Sequence, residues 1–418
     1  MTSMRDESFY SRTGRVNDAI QLKVPDRVPI MMQFNFFTCR HAGISNEKAF
    51  YDLEAWLAAY EKTILDFEPD LYFQPQAAIF TGGKVHEVLG NRQIKWPGHG
   101  VGINDSFQFV EGEYMLAEEY DAFLEDSSDF AVRKYLPRIF AALEGLAFIP
   151  TLKTMLAGYA GAPALCGMLT LPPLATAFEA LSAAAPESMR WTTAYMEFEN
   201  RMNEAGYPAF AAGIGLAPFD VISDFLRGMR GAMLDMYRCP DKLAACCEKT
   251  LPTMLEFAMT TAQLSGNPRV FIPLHRGADG FMSNAQFETF YWPTLKALLL
   301  GLIDAGLTPC PFFEGNYDQR LDYLAELPRG KVYALFDRTD LVRAKEVIGD
   351  TVCISGGMPL SLLQAGTPAE VEEHTRSVIE TVGVDGGFIM CTSTVLDEAR
   401  PELVRAWMDA TLKYGSYR

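Results

Sequence analysis

The chain has 418 residues, with 36 Lys+Arg against 53 Asp+Glu, a formal net charge of −17. Such a balance excludes nucleic acid and an anionic membrane surface as partners, since both need a basic footprint. Hydrophobic residues at 49% and charged residues at 21% make the composition globular, not disordered.

The opening MTSMRDESFYSR is polar and mixed in charge, so no secretory signal is expected there. Three strand-like runs follow in the first half: Arg27–Phe34 (RVPIMMQF), Asp70–Gln74 (DLYFQ) and Phe210–Ile214. The segment 75–205 is too long for one strand-to-helix connection. It holds helical stretches and the turn-rich Lys95–Asn104, and is expected to cap a site or dock a partner. Ala164–Thr170 fits that segment as helix, not as another strand.

The second half alternates strand and helix regularly. Arg269–Leu274 (RVFIPL) precedes a helix over Asn284–Ala305, Thr308–Phe313 (TPCPFF) one over Tyr317–Leu327, and Lys331–Phe336 (KVYALF) one over Asp340–Ile348. Thr351–Ser355 (TVCIS) leads to helical Pro368–Val382, and Gly387–Cys391 (GFIMC) to a last helix, Pro401–Lys413. Short loops between such units imply right-handed parallel connections. The eight strands match an α/β fold closed as a (β/α)8 TIM barrel, a single domain over 1–418 with a large helical insertion after the second strand. An open doubly wound sheet is the alternative, weakened because no glycine-rich phosphate fingerprint follows the first strand. The longest apolar stretches, such as Leu298–Ile303, are too short to span a bilayer. Eight cysteines without a CxxC pair are no disulfide framework, which points to a soluble cytoplasmic protein with free thiols.

In a parallel barrel the site lies at the carboxyl ends of the strands. Five consecutive strands deliver His275, Glu314, Asp337, the pair Gly356–Gly357 and Cys391 there. His275, Glu314 and Cys391 offer N, O and S donors, which with an open fourth position would suit a catalytic zinc. A metal-free acid/base site and plain structural roles stay open beside it. His275 would then bond a loop carbonyl, Glu314 cap a helix, Cys391 fill core, Asp337 or Asp340 cap the next helix, and the glycines supply turn geometry. Phe34, Phe36 and Phe37 line an apolar pocket or pack as core. Cys246, Cys247, His41, His86, His99 and His374 have no partner at a telling spacing.

Several stretches resemble the uroporphyrinogen decarboxylase superfamily: Leu216–Asp241 (LAPFDVISDFLRGMRGAMLDMYRCPD), Ser283–Leu299, Val352–Thr367 (VCISGGMPLSLLQAGT) and Gly386–Cys391. The resemblance covers about the last 200 residues and, weakly, RVPIMM near the amino end. It implies a (β/α)8 barrel and either a porphyrinogen decarboxylase or a zinc-dependent, corrinoid-linked methyltransferase. Decarboxylases of this kind carry an arginine motif after the first strand, where Phe34–Gly43 (FNFFTCRHAG) holds only Arg40. Thiol methyltransferases of the superfamily hold zinc by a His-x-Cys pair and a late Cys. Here Phe312 and Glu314 stand at the pair and Cys391 at the late position, with His275 as replacement imidazole.

The chain is most similar to aryl methyl ether O-demethylases, in which zinc activates the leaving oxygen while the methyl group passes to cob(I)alamin. The resemblance thus implies zinc on His275, Glu314 and Cys391, with Asp337 orienting a ligand or holding a substrate hydroxyl. Asn316, Tyr72, Phe34, Phe36, Phe37 and Phe281 are the pocket candidates. No DxHxxG corrinoid motif is present, so the cobalamin is expected on a separate corrinoid protein. Partners expected are that protein and a small methoxylated substrate, with a homodimer as a further admissible assembly. A methylcorrinoid:thiol methyltransferase and a metal-free decarboxylase are the alternatives.

Overall fold

β-Branched and aromatic runs pair into eight parallel strands in this computed structural model, which describes residues 8–417. They are β1 (Ile30–Met32), β2 (Leu71–Tyr72), β3 (Gly213–Ile214), β4 (Arg269–Leu274), β5 (Thr308–Phe313), β6 (Tyr333–Phe336), β7 (Cys353–Met358) and β8 (Phe388–Thr392). Their hydrogen-bonded order is β2-β1-β8-β7-β6-β5-β4-β3. A parallel bridge between Tyr72 and Ala209 joins the two ends, with the Phe210 N–H donating to the Tyr72 carbonyl at 2.7 Å. The result is the expected (β/α)8 barrel, with every strand inside or overlapping its expected run. Two prolines are tolerated in β5 because Pro309 and Pro311 face β6 below the point where β6 begins to pair, at Phe312 with Leu335.

Alternate residues face the barrel interior, where Met31, Leu71, Phe73, Phe271, Phe312 and Cys391 form one cluster. The helix Phe9–Ile20 closes the floor by adding Val16, Ala19 and Ile20 to it. A larger core lies between the strands and the surrounding helices. The insertion has its own small core, Leu143, Leu146, Ile149, Leu174 and Ala177. It also carries a three-stranded ribbon (Ile94–Pro97, Gly100–Val101, Gln108–Phe109) and the long helix Pro172–Glu204. Most of Ala164–Thr170 lies in the helix Gly161–Met168, as its pattern suggests.

Three local expectations need correction. The glycine pair does not follow β7 but continues it, with φ of +133° and +102°. A Cβ on Gly356 would stand 2.6 Å from the Phe336 carbonyl oxygen, so the pair serves strand packing. The helix expected over 284–305 is present over 284–304 but widens into a π turn at Phe287–Tyr291, where Pro293 cannot donate an α-helical bond. The helix expected over 317–327 shrinks to two short turns, Asp318–Arg320 and Leu321–Leu324. Among the described residues no single helix is long and apolar enough to cross a membrane.

At the floor, buried Asp70 accepts from Arg15 Nη1 at 2.6 Å, Arg27 Nη1 at 2.6 Å and the Ile30 N–H at 2.8 Å. One carboxylate thereby ties the plug helix, the approach to β1 and the approach to β2. Removing it takes one buried acceptor from Arg15, which keeps Asp26 at 2.7 Å, and from Arg27 and the Ile30 N–H, which costs about 1–3 kcal/mol. Asp70→Ala should lower unfolding stability by that amount in urea titrations, and a loss below about 1 kcal/mol would show the network to be dispensable.

Candidate active site

The turn after β3 places the site's anchors. Pro218–Asp220 opens a helix that widens into a π turn over Val221–Leu226, and this brings Asp220 and Asp224 beneath the end of β4. Asp220 is fully buried. It accepts from the backbone N–H groups of His275 (2.9 Å) and Arg276 (3.1 Å) and from the Tyr291 hydroxyl (2.7 Å). Burial, reinforced by the Asp224 charge, pushes its carboxyl up to about 6. Asp220 thus fixes the backbone that carries His275.

Asp224 fixes the side chain. Its Oδ2 stands 2.5 Å from His275 Nδ1, and its Oδ1 2.9 Å from an Arg276 guanidinium nitrogen. The imidazole is therefore aimed by a carboxylate on one nitrogen, leaving Nε2 to face Glu314 Oε1 at 3.5 Å. Burial opposes charge on the ring, but Asp224 and Glu314 outweigh it and hold the imidazole up to about 11. Asp337, next along the barrel, accepts the Gly315 N–H at 3.1 Å, and burial raises its carboxyl above the usual range.

These side chains line a cavity of about 660 Å³ at the barrel mouth. Its walls include Phe225, Phe281 and Arg338, and the inserted ribbon roofs it with Phe109 and the neighbouring Gln93. Gln93 accepts from the Tyr135 hydroxyl at 3.0 Å and donates to the Phe225 carbonyl at 3.3 Å, tying ribbon to mouth. The Arg276 guanidinium lies 5.3 Å over the Phe281 ring.

His275, Glu314, Asp337 and Phe281 therefore come together as expected from the sequence, and Cys391 does not. Its thiol is buried in the barrel interior, 3.7 Å from Met31 Sδ, and burial pushes it up to about 12. The strand runs one residue beyond its expected end, to Thr392, so Cys391 lies inside β8 and not at its last position. Among the described residues no three His, Cys, Asp or Glu side chains converge as a metal site. His275 and Glu314 alone have the separation of two corners of a tetrahedral shell, about 3.4 Å at ordinary zinc bond lengths.

The other pocket candidates fall elsewhere. Phe34 and Phe37 are core, Phe34 packing on Tyr60 at 4.9 Å between ring centroids. Tyr72 faces outward from β2 against Phe198, 6.2 Å away. Phe36 lines a separate cavity with Arg40, Asn46 and Asp397. Asn316 shapes its own turn, accepting the Asp318 N–H at 2.7 Å. Asp340 is a helix cap, taking the N–H groups of Val342 and Arg343. Sequence reasoning missed Asp220, Asp224, Arg276 and Arg338. The i,i+4 pair of acids in FDVISD, just after a strand, was the available signal for the first two.

Comparison with known proteins gives three findings. A family model described as Uroporphyrinogen decarboxylase (URO-D) matches residues 172–414. A uroporphyrinogen decarboxylase of Syntrophotalea carbinolica is 25% identical over 240 residues, covering 55% of this chain and 68% of the relative. A methyltransferase from Methanosarcina mazei superposes with a TM-score of 0.63 at 13% identity, over 98% of this chain and 99% of the other. At that identity the structural likeness speaks to the fold.

The dyad makes a measurable claim. In metal-free protein the His275 imidazole should stay protonated well above pH 8, read from its ring nitrogen shifts by NMR, and Asp224→Asn should lower its pKa. A folded value above the unfolded one (about 6.5) stabilises the fold fully below that pH. The contribution is lost as pH climbs towards about 11. A wild-type titration near the unfolded value would contradict the geometry.

Proposed function

The chain belongs to the uroporphyrinogen decarboxylase (URO-D) family, and from that premise we propose that it is a methyltransferase acting as an O-demethylase. It takes a methyl group from a methoxylated aromatic substrate and passes it to the cob(I)alamin of a separate corrinoid protein. The observation that carries this reading is the Asp224–His275–Glu314 line in an aromatic-walled cavity at the barrel mouth. When docked, the corrinoid supplies the nucleophile that accepts the methyl group.

The difficulty of the reaction lies in the leaving group, since breaking the C–O bond puts its electron pair on a phenolate oxygen. His275 Nε2–H is aimed where that oxygen would rest, and Asp224 keeps the ring in the donating orientation. The proton moves to the oxygen as the bond breaks and solvent later returns one to the ring. Glu314 holds Nε2 in register before substrate arrives, while Phe281 and Phe225 offer flat apolar walls to an aryl ring. Asp337, with a raised pKa, is placed to hold a substrate hydroxyl.

Zinc has two donors in this arrangement, His275 Nε2 and Glu314 Oε1, without Cys391. Bound in that gap, the ion would take the proton's place and supply Lewis-acid stabilisation to the same oxygen.

A second reading, decarboxylation, gains one specific observation. Arg276 and the exposed Arg338 both line the cavity and offer a substrate carboxylate two cations, where the region around Phe34–Gly43 holds only Arg40.

Elemental analysis and a cob(I)alamin methylation assay with methoxyaromatics test the proposal together. His275→Ala and Glu314→Ala should each lower kcat/KM by about 10²–10⁴, and Cys391→Ala should leave both activity and any metal within about threefold, as for a side chain outside the site. No methyl transfer, with carbon dioxide released from a porphyrinogen, would replace this reading with the second. Zinc lost in Cys391→Ala would overturn the ligand assignment.

A further inference from the structure

Beside the cavity at the barrel mouth lies a second hollow of about 750 Å³, and the two share the wall made by Asp337 and Arg338. The loops after β6, β7 and β8 and the helices Leu341–Ile348 and Pro368–Thr381 surround it. Glycine opens its floor, because a Cβ at Gly357 would stand 2.9 Å from Val378 Cγ1 on the second of those helices. Ser361, Gln364, Ser377, Ser393 and Thr394 line the hollow, and among the described residues none of these side chains is hydrogen-bonded to another group. His374 donates from Nε2 to the Gly357 carbonyl at 2.7 Å, which leaves its Nδ1 over. The mechanism above uses none of these polar groups.

The lining selects the ligand. Asp340 spends its carboxylate on the N–H groups of Val342 and Arg343, and Arg338 stands 3.7 Å from Asp337, so no cation is left unopposed for a phosphate or a carboxylate. The hollow also has no aromatic wall of the kind its neighbour offers to an aryl ring. Hydroxyl and amide groups that both donate and accept suit an uncharged ligand edged with carboxamides. The rim of a corrin ring is such an edge, since its acetamide and propionamide arms carry no charge. Position agrees with chemistry. A flat ring that brings its cobalt over the gap between His275 and Glu314 overhangs the Asp337–Arg338 wall. The hollow lies directly beyond that wall.

We propose that the hollow beyond the Asp337–Arg338 wall is the seat of the carboxamide rim of the corrin ring, an inference that rests on the corrinoid-linked reading above.

Equilibrium dialysis of the full chain against dicyanocobinamide tests this, the two cyanides keeping the cobalt from taking a protein ligand. Wild type should bind it at least about tenfold tighter than dicyanocobyrinic acid, the same ring with carboxylates in place of the amides, as for the loss of one or two hydrogen bonds. Ser377→Trp and Gln364→Trp should each fill the hollow and weaken cobinamide binding about tenfold or more. Both positions are exposed, so circular dichroism and melting temperature should stay those of wild type. Cobinamide binding that is absent in wild type, equalled by the acid, or untouched by both substitutions overturns the proposal. Methyl transfer from a methoxyaromatic to cob(I)alamin separates it from the reading it rests on. If wild type transfers the methyl group and Ser377→Trp does so with an unchanged KM for cob(I)alamin, the seat is wrong and the activity stands. If the substitutions abolish cobinamide binding but no methyl group moves in wild type, the seat stands and the O-demethylase reading falls.

Discussion

Closing eight parallel strands into a barrel forces them to tilt, so a hydrogen-bonded rung does not stay at one height as it travels round. The geometry at the barrel mouth follows from that stagger. Ser355 pairs with Leu335 and Gly357 with Cys391, which puts Cys391 on the same rung as the position two beyond Leu335, Asp337. The rung continues through Met31 to Leu71, beside Asp70 and the plug helix at the floor. Asp337 thus opens on the mouth while Cys391, its rung-mate, is sealed in the interior. His275 and Glu314 share the high side, since the pairing of Leu274 with Phe313 brings the two following residues abreast.

Electrostatics then makes the mouth a site and not merely a rim. Asp220, Asp224 and Glu314 gather round one imidazole, with Arg276 on Asp224, while Asp337 stands next to Glu314 with Arg338 at 3.7 Å. Four carboxyl groups so close cannot all carry full charge without a counter-ion, and three responses are visible. Asp220 and Asp337 are raised, by burial first and by the neighbouring Asp224 and Glu314 charges after it, the imidazole is held charged, and Arg276 pairs with Asp224. A proton or a small cation between Nε2 and Glu314 relieves the same excess. The proposed proton donor and the proposed metal would therefore share a single gap.

The strands were legible because their apolar, β-branched runs sit between turn residues at regular spacing. His275, Glu314 and Asp337 were legible because each immediately follows such a run. Cys391 was misplaced for a reason no single strand contains, since stagger is a property of the closed sheet. Phe34 and Tyr72 failed on parity. Both faces of a barrel strand are apolar, so composition does not tell interior from exterior, and these two rings point outward. Asp220 and Asp224 went unseen because the strand before them, Gly213–Ile214, is two residues long and their approach depends on a π turn.

The insertion links the outer face to the mouth by direct packing. On the long helix, Trp191 lies against Gly82, where even a Cβ would come within 2.6 Å of the indole, and the Tyr195 hydroxyl donates to the Ile79 carbonyl. From there Gly83 packs on the Tyr51 ring, and the Tyr51 hydroxyl meets both Glu87 (2.6 Å) and the indole N–H of Trp96 (3.1 Å). Trp96 belongs to the ribbon that roofs the cavity. Each contact in this series is close or hydrogen-bonded, with no room for a side chain at either glycine. The ribbon that lines the cavity beside His275 is thereby joined to the long helix outside the barrel by one unbroken series of contacts.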